Sequence, residues 1–326
     1  MIDLLHPLID ATKTIHLKMG QWFSAYPAGM PWTVVSDYCI GDEGKPNDVF
    51  SFVAIANHDS TANICEYITA VAPRDLKKVN EVPVGLIQYL TCPMPVTFSV
   101  SFVINRQSQL LRDYLRAEDM ASFIPDAREF VQALKTNTPV SKSVAPEYFD
   151  DVLKRLALFE RNLARKQPND RLARQIHLTS AFAATLFFLI TGATQASYLR
   201  WISDRDKLIE HSETVVYDLA YLYFILMRSK ASESVANIDG TAAHQVPEIT
   251  FEIPDKVGKY RFDELIRLPD YLAGTLADLS LDNMSSSREK FETVLHQVFV
   301  DSPNNWVVIL NSDSEKITVK GAQFQG

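Results

Sequence analysis

Forty acidic residues are spread along this 326-residue chain, and three of them stand where chemistry is possible. Tyr198-Leu199-Arg200-Trp201-Ile202-Ser203 is a short apolar run that leads into Asp204, with Asp206 close behind. Pro31-Trp32-Thr33-Val34-Val35-Ser36 is a second such run and reads as a strand ending in Asp37. Leu268-Pro269-Asp270-Tyr271-Leu272-Ala273-Gly274 sets a third aspartate, Asp270, where the pattern reads as a helix start. An acidic side chain at the end of a buried strand lies where α/β folds place ligands, outside the carboxyl ends of the strands. Carboxylates brought together from distant parts of a chain can hold hard cations through oxygen. A pair of Mg²⁺ or Mn²⁺ ions about 4 Å apart stabilises both the attacking and the leaving oxygen of a phosphoryl transfer. Asp42, Glu43, Asp75 and Asp206 are reserves for such a site. The same residues have a simpler use. An aspartate between a strand and a helix can cap the helix, which stabilises it by about 1 kcal/mol. For Asp204 the two roles are equally open, for Asp270 capping has the edge, and Asp42 and Glu43 read as solvated turn residues.

The elements that must position these side chains can be read from hydrophobic periodicity. Residues 2–23 carry apolar side chains at helical spacing, through Leu5, Leu8, Ile9, Thr12, Ile15, Met19 and Phe23. The strand that leads to Asp37 and a buried strand over residues 49–55 flank a turn-rich loop, residues 41–47, as in an antiparallel hairpin. Helices are expected over residues 60–70, with Ser60 as N-cap, and over residues 84–90. A strand is expected over residues 96–104. Residues 106–190 read as helical, with an apolar stripe Val152, Leu153, Leu156, Phe159 and Leu163 in residues 148–166 and a linker at residues 136–146. After the strand at Tyr198 a helix is expected over residues 207–227, then a polar loop over residues 229–245. Short extended pieces are expected over residues 248–253 and 260–265, and helices over residues 270–280 and 286–300. A closing hairpin is expected, with residues 305–310 and 315–320 around a turn at residues 311–314.

Composition narrows the function classes. With 47% hydrophobic and 22% charged residues, the chain has enough apolar material for one large globular domain or for a domain plus an insertion. A net charge of −8 gives no whole-molecule attraction for nucleic acid, so any such binding would need a local basic patch. Lys154, Arg155, Arg161, Arg165, Lys166, Arg171 and Arg174 form the most basic stretch and could line a groove. A solvated helix face balanced by Asp150, Asp151, Glu160 and Asp170 is the simpler reading. Cys39, Cys65 and Cys92 are isolated and form neither a disulfide framework nor a zinc motif. Residues 1–19 lack the basic, apolar and small-residue order of a leader, so a cytoplasmic location is expected. Residues 175–199 contain no Asp, Glu, Lys or Arg and are long enough to be a membrane-span candidate. Their apolar part is short, and a buried helix broken at Gly192 before the strand at Tyr198 is expected, with no membrane partner. His211, seven residues after Asp204, could face the site as a base or further ligand, or could simply pack a helix.

The order of these elements resembles an RNase H-type fold. More narrowly, the chain resembles the family called domain of unknown function 3800. Its members open with a strand and Asp-Glu-Ser-Gly, carry a mid-chain strand ending in aspartate, and close with an apolar-Ala-Asp-apolar-apolar-Ala-Gly helix. Here the closing motif is Leu268 to Gly274 and the mid-chain motif is Trp201-Ile202-Ser203-Asp204. The opening is altered to Ser36-Asp37-Tyr38-Cys39, with Gly41-Asp42-Glu43-Gly44 as a candidate remnant. Asp75-Leu76-Lys77 stands where the family has a Glu-apolar-Lys element. The resemblance implies an α/β fold with a mixed sheet of RNase H type and flanking helices. It further implies a single domain over residues 1–326 with a helical insertion near residues 106–176. Asp37, Asp204 and Asp270 would be the catalytic and metal-holding residues, with Asp75 a fourth ligand, and the cofactor would be Mg²⁺ or Mn²⁺. The implied activity is a nuclease-like phosphodiesterase acting on nucleic acid, in bacterial antiphage defence or a mobile element. The altered opening motif leaves a second outcome, a catalytically inactive scaffold or binding subunit of a multiprotein complex. A fold can outlast its chemistry.

Overall fold

The structure is a computed structural model and describes residues 4–137, 146–235, 246–252, 262–312 and 317–326. In chain order its elements are α1 (Leu5–Ala11), α2 (Lys13–Trp22), β1 (Trp32–Cys39), β2 (Asn47–Ala56), α3 (Thr61–Val71), α4 (Val84–Leu90), β3 (Thr97–Asn105), α5 (Ala117–Asn137) and α6 (Pro146–Leu163). There follow α7 (Asp170–Thr194), β4 (Tyr198–Ser203), α8 (Lys207–Glu210), α9 (Val215–Val235), β5 (Glu248–Glu252), α10 (Asp263–Asp278), α11 (Glu289–Val294), β6 (Asn305–Ser312) and β7 (Ile317–Ala322).

The strands form one seven-stranded mixed sheet in the order β5-β4-β1-β2-β3-β6-β7. β1, β2 and β3 form an antiparallel meander. β4 adds parallel to β1, with Ser36 opposite Ser203, and β5 adds parallel to β4. On the far side, β6 runs parallel to β3 and β7 returns antiparallel to β6. The central strands are buried on both faces, so they read as nearly continuous apolar runs rather than as strict alternations.

Two helical layers cover the sheet. On one face Phe50, Phe52, Phe98, Phe102 and Trp201 pack against α1, α2, α5, α6, α7 and α9. α7 is the centre of that layer: Phe182 stacks on Phe102 with ring centroids 4.2 Å apart. On the other face Val35, Val49, Val53 and Ile202 pack under α3, α4, α10 and α11. The second layer is the one that matters for the carboxylates, because β1 residues 35, 37 and 39 share its side of the pleat.

Several local expectations are corrected. The first helix is two, divided at Thr12, whose hydroxyl turns back to donate to Leu8 O at 2.6 Å. α7 does not break at Gly192 but runs on to Thr194, where Gln195 adopts a left-handed backbone. α2 approaches closely at Gly192, where a Cβ would lie 2.5 Å from Nε2 of His16 and the imidazole would have to shift. α7 is also the one described helix long and apolar enough to cross a membrane, and 83% of its apolar window is buried inside the fold. The helix after β4 is interrupted: α8 is a single turn, Ser212 leaves helical geometry, and α9 begins at Val215. α9 then continues to Val235, so residues 229–235 of the expected loop are helical, and residues 236–245 lie outside the described residues. The linker expected at residues 136–146 falls mostly on residues 138–145, also outside them. Asp263, Glu264 and Leu265 belong to α10 rather than to a strand, and residues 253–261 lie outside the described residues. The closing hairpin is present as β6 and β7, each running about two residues further than expected, and its turn, residues 313–316, is not described.

Candidate functional site

Asp37 lies inside β1, not at its end; the strand continues through Tyr38 and Cys39, which pair with Phe50 and Val49 of β2. Asp204 is the first residue beyond β4, and its N–H donates to Ser36 O at 2.9 Å. That bond continues the β1–β4 ladder by one step and brings the two aspartates alongside each other. A hydroxyl cluster behind the sheet fixes the register. Tyr38 Oη sits 2.7 Å from Ser36 Oγ and 2.9 Å from Ser203 Oγ, and Trp201 Nε1 donates to Ser36 Oγ at 2.9 Å. Each aspartate thus follows directly on a serine tied into a buried network.

Asp270 comes from α10, which crosses β1 and β2 on the opposite layer. It does not open that helix. α10 starts at Asp263, with Phe262 in a left-handed conformation as its cap, and Pro269 stands within the helix. Asp270 Oδ2 accepts from the Leu76 N–H at 2.8 Å. Arg267 Nη1 donates to Ala72 O at 2.8 Å and Tyr271 Oη donates to Arg74 O at 3.0 Å. One face of α10 therefore holds the chain segment from Ala72 to Leu76. Gly274 completes the fit, because a Cβ there would overlap Leu76 Cδ2.

The three carboxyls form one electrostatic group. Burial pushes Asp37 well above the usual carboxylate range, and the negative charges of Asp270 and Asp204 push it further. The close approach of the two side chains raises Asp37 and lowers Asp204. Asp204 is itself raised by burial, against the pull of the Arg205 N–H, and the charges of Asp206 and Asp263 add to the rise. Asp270 is raised by burial, held down in part by the Leu76 N–H, raised by Asp75 and Asp204, and lowered by Lys77. All three residues remain partly exposed.

The other residues singled out from the sequence do different work. Asp75 pairs with Lys78 and has Arg267 Nε at 3.7 Å, so its carboxylate is engaged beside Asp270 rather than open to a ligand. Asp206, not Asp204, is the helix cap, and accepts from the Leu208 N–H at 3.0 Å. His211 is not on a continuous helix with Asp204; it packs edge-on against Phe159, and burial lowers its pKa. Asp42 caps its own turn through the Gly44 N–H. Two members of the basic stretch, Arg155 and Arg174, are structural, while Lys154, Arg161, Arg165, Lys166 and Arg171 are exposed. Arg155 makes a bidentate pair with Asp218, at 2.6 and 2.9 Å, while Lys154 pairs with Asp151. Arg174 is buried and donates to the carbonyls of Tyr114, Leu111 and Arg112.

Among the described residues, no group of three or more His, Cys, Asp or Glu side chains is placed to hold a metal ion as the side chains stand. A shallow cleft near the Asn105 end of β3 has a volume of about 350 Å³ and is lined by Lys45, Arg106, Glu43 and Asp282, but by none of the three aspartates. Comparison with family models, with curated proteins and with solved structures gives no match to this chain in any of the three.

Sequence reasoning missed Lys290. It is buried beneath the Leu76 turn, where its Nζ donates to Leu76 O at 2.8 Å and to Val79 O at 2.9 Å. A signal was present: Lys290 lies on the same helical stripe as Phe291, Val294, Leu295 and Val298, all of them buried.

Proposed function

We propose that this protein is a divalent-metal-dependent phosphodiesterase of RNase H type that acts on nucleic acid, in the cytoplasm, with Asp37, Asp204 and Asp270 as its metal-holding residues. The observation that carries the reading is the convergence of three acids from distant parts of the chain: Asp204 is set beside Asp37 by the bond to Ser36 O, and Asp270 on α10 is close enough for its charge to act on Asp37. Three partly exposed acids in mutual repulsion are costly unless they are protonated or neutralised by a cation. The donor set is all oxygen, which suits Mg²⁺ or Mn²⁺ rather than a softer ion. The sheet adds support: an antiparallel β1–β2–β3 meander with β4 and β5 parallel to β1 is the arrangement that the RNase H resemblance implies.

When bound, such ions supply electrostatic stabilisation of the charge that develops on phosphate oxygens. The chain's own residues supply the rest. The Ser36, Tyr38, Ser203 and Trp201 cluster holds β1 against β4, so Asp37 and Asp204 stay adjacent without a ligand. Asp37, raised by burial, would hold the ion in its ionised form, because a carboxyl must be ionised to act as a ligand. Asp270 is aimed by the Leu76 N–H. Asp75 and Lys77 stand in the next layer, where their opposite charges act on Asp270.

A second reading has its own observation. Tyr38 and Cys39 occupy the positions where the resembled family has Glu-Ser, and Tyr38 is locked into the buried hydroxyl cluster. On that reading the protein is a binding subunit that keeps the fold without the chemistry, and its partners are proteins. One experiment separates the two. The purified protein is incubated with Mn²⁺ and with RNA, single-stranded DNA or double-stranded DNA, beside Asp204→Asn. Cleavage by the wild type and its loss in the variant support the enzyme. No cleavage by the wild type, or equal cleavage by both, overturns it.

A further inference from the structure

A buried ammonium group usually has a carboxylate partner, because burying an unpaired charge is costly. Lys290 is 7% exposed, and among the described residues its Nζ makes no ion pair with Asp or Glu. It bonds two backbone carbonyls, Leu76 O and Val79 O, at either end of the single turn Leu76–Lys78. The same turn supplies the N–H that Asp270 accepts. Leu76 is thus held at three points. Its N–H is on Asp270, its carbonyl is on Lys290, and its side chain fills the space that Gly274 leaves open one helical turn from Asp270.

We propose that Lys290 is a positioning residue for Asp270, acting through the Leu76 turn. This rests on the reading of Asp270 as a metal-holding residue. A three-residue turn between Asp75 and Val79 has few internal bonds to define it. Its carbonyls must find partners inside the layer, since buried backbone oxygens left unpaired are strongly disfavoured. A flexible lysine stem with three donors can reach both carbonyls at once. With both pinned, the Leu76 N–H points at one oxygen of Asp270 and leaves the other for a ligand. Without Lys290 the turn is released, the amide swings away and the Asp270 carboxylate regains its rotamer freedom. Outer partners that orient a liganding carboxylate typically change metal affinity by 10- to 100-fold when removed.

The test uses the full chain as wild type, Lys290→Met, Lys290→Arg and Val294→Ala. Val294 is buried in the same layer and serves as a control for plain loss of packing. Two quantities are read: hydrogen exchange of the Leu76 amide, and Mn²⁺ affinity by titration. In Lys290→Met the exchange of Leu76 is expected to rise at least about tenfold and Mn²⁺ affinity to fall about 10- to 100-fold. Lys290→Arg, which keeps donors in place, should recover most of both, and Val294→Ala should leave both within about twofold. Lys290→Gln, whose shorter and uncharged amide cannot span both carbonyls, carries the same comparison if the methionine variant does not fold. A folded Lys290→Met or Lys290→Gln protein with unchanged Leu76 exchange overturns the positioning role, whatever the metal does. Absence of Mn²⁺ binding in every protein, with Leu76 exchange raised in the variant, supports the positioning role and overturns the metal reading alone.

Discussion

Asp204 lies beside Asp37 across neighbouring parallel strands, set there by the bond from its own N–H to Ser36 O. Two acids on adjacent strands therefore act on each other's ionisation. Asp37 is raised in the folded state by burial first and by the charges of Asp270 and Asp204 after it. A group whose folded pKa is raised stabilises the fold below its unfolded value, and that stability is lost as pH rises through the folded value. The metal-free protein should accordingly lose stability as pH rises from the ordinary carboxylate range to neutrality. Asp37→Asn keeps a donor toward Asp204 and removes the ionisation. It is expected to raise the Tm at neutral pH by on the order of 2–4 °C, for about 1 kcal/mol or slightly more. The difference should vanish in acid, where Asp37 is protonated in both states. Thermal unfolding against pH for the two proteins checks this; parallel curves across the whole range would refute the raised Asp37.

Adding the cation should reverse the order. An ion that binds the folded state alone stabilises it by about 2.7 kcal/mol at a hundredfold excess over its Kd. Mn²⁺ is expected to raise the Tm of the wild type by several degrees and to leave Asp37→Asn and Asp204→Asn nearly unmoved. Chelation should return the wild type to its starting value. A carboxyl raised by burial must be ionised to act as a ligand, so titration of Mn²⁺ into weakly buffered protein should release protons. A Tm shift of equal size in all three proteins would place the ion elsewhere.

Arg155 is a case where the sequence pointed toward a surface and the structure points inward. It is part of the basic stretch, yet its guanidinium closes on Asp218, which is 3% exposed in the helical layer. Burial raises Asp218, and the Arg155 hydrogen bonds and charge oppose that rise. Removing the partner leaves a buried acid uncompensated, which costs about 3–5 kcal/mol. Arg155→Ala is expected to be strongly destabilising by denaturant unfolding. The double variant Arg155→Met with Asp218→Leu should recover much of the loss, as replacement of a buried pair by apolar residues often does. A loss under about 1 kcal/mol for the single variant would mean that Asp218 finds water or another donor.

The sequence placed most strands well, because their apolar runs are bounded by turn residues. Trp32 to Val35 and Tyr198 to Ile202 could be read directly, and with them the presence of an acid near each strand end. The exact register could not. Asp37 reads as a strand end because a polar side chain follows four largely apolar positions, yet pairing with β2 carries the strand on to Cys39. Asp270 reads as a helix start because proline favours the first helical turn. Pro269 instead lies within α10, whose true start at Phe262 has a left-handed backbone and no side-chain cap. The partnership of Leu76, Gly274 and Lys290 spans about two hundred residues of sequence, and no local pattern encodes it.

The sequence left Asp204 open as either a ligand or the cap of the helix that follows, with Asp206 only in reserve. The structure divides the roles: Asp206 accepts from the Leu208 N–H, while the Asp204 carboxylate faces Asp37. The two residues should therefore respond in opposite ways. Asp206→Ala removes a cap and is expected to cost about 0.5–2 kcal/mol, with metal affinity changed little. Asp204→Asn removes a charge from a repulsive group, so the metal-free protein should be no less stable and Mn²⁺ binding should be lost. Unfolding by denaturant and Mn²⁺ titration on both variants give a two-by-two result. If Asp204→Asn destabilises as much as Asp206→Ala does, Asp204 is acting as structure and the candidate site loses its central residue.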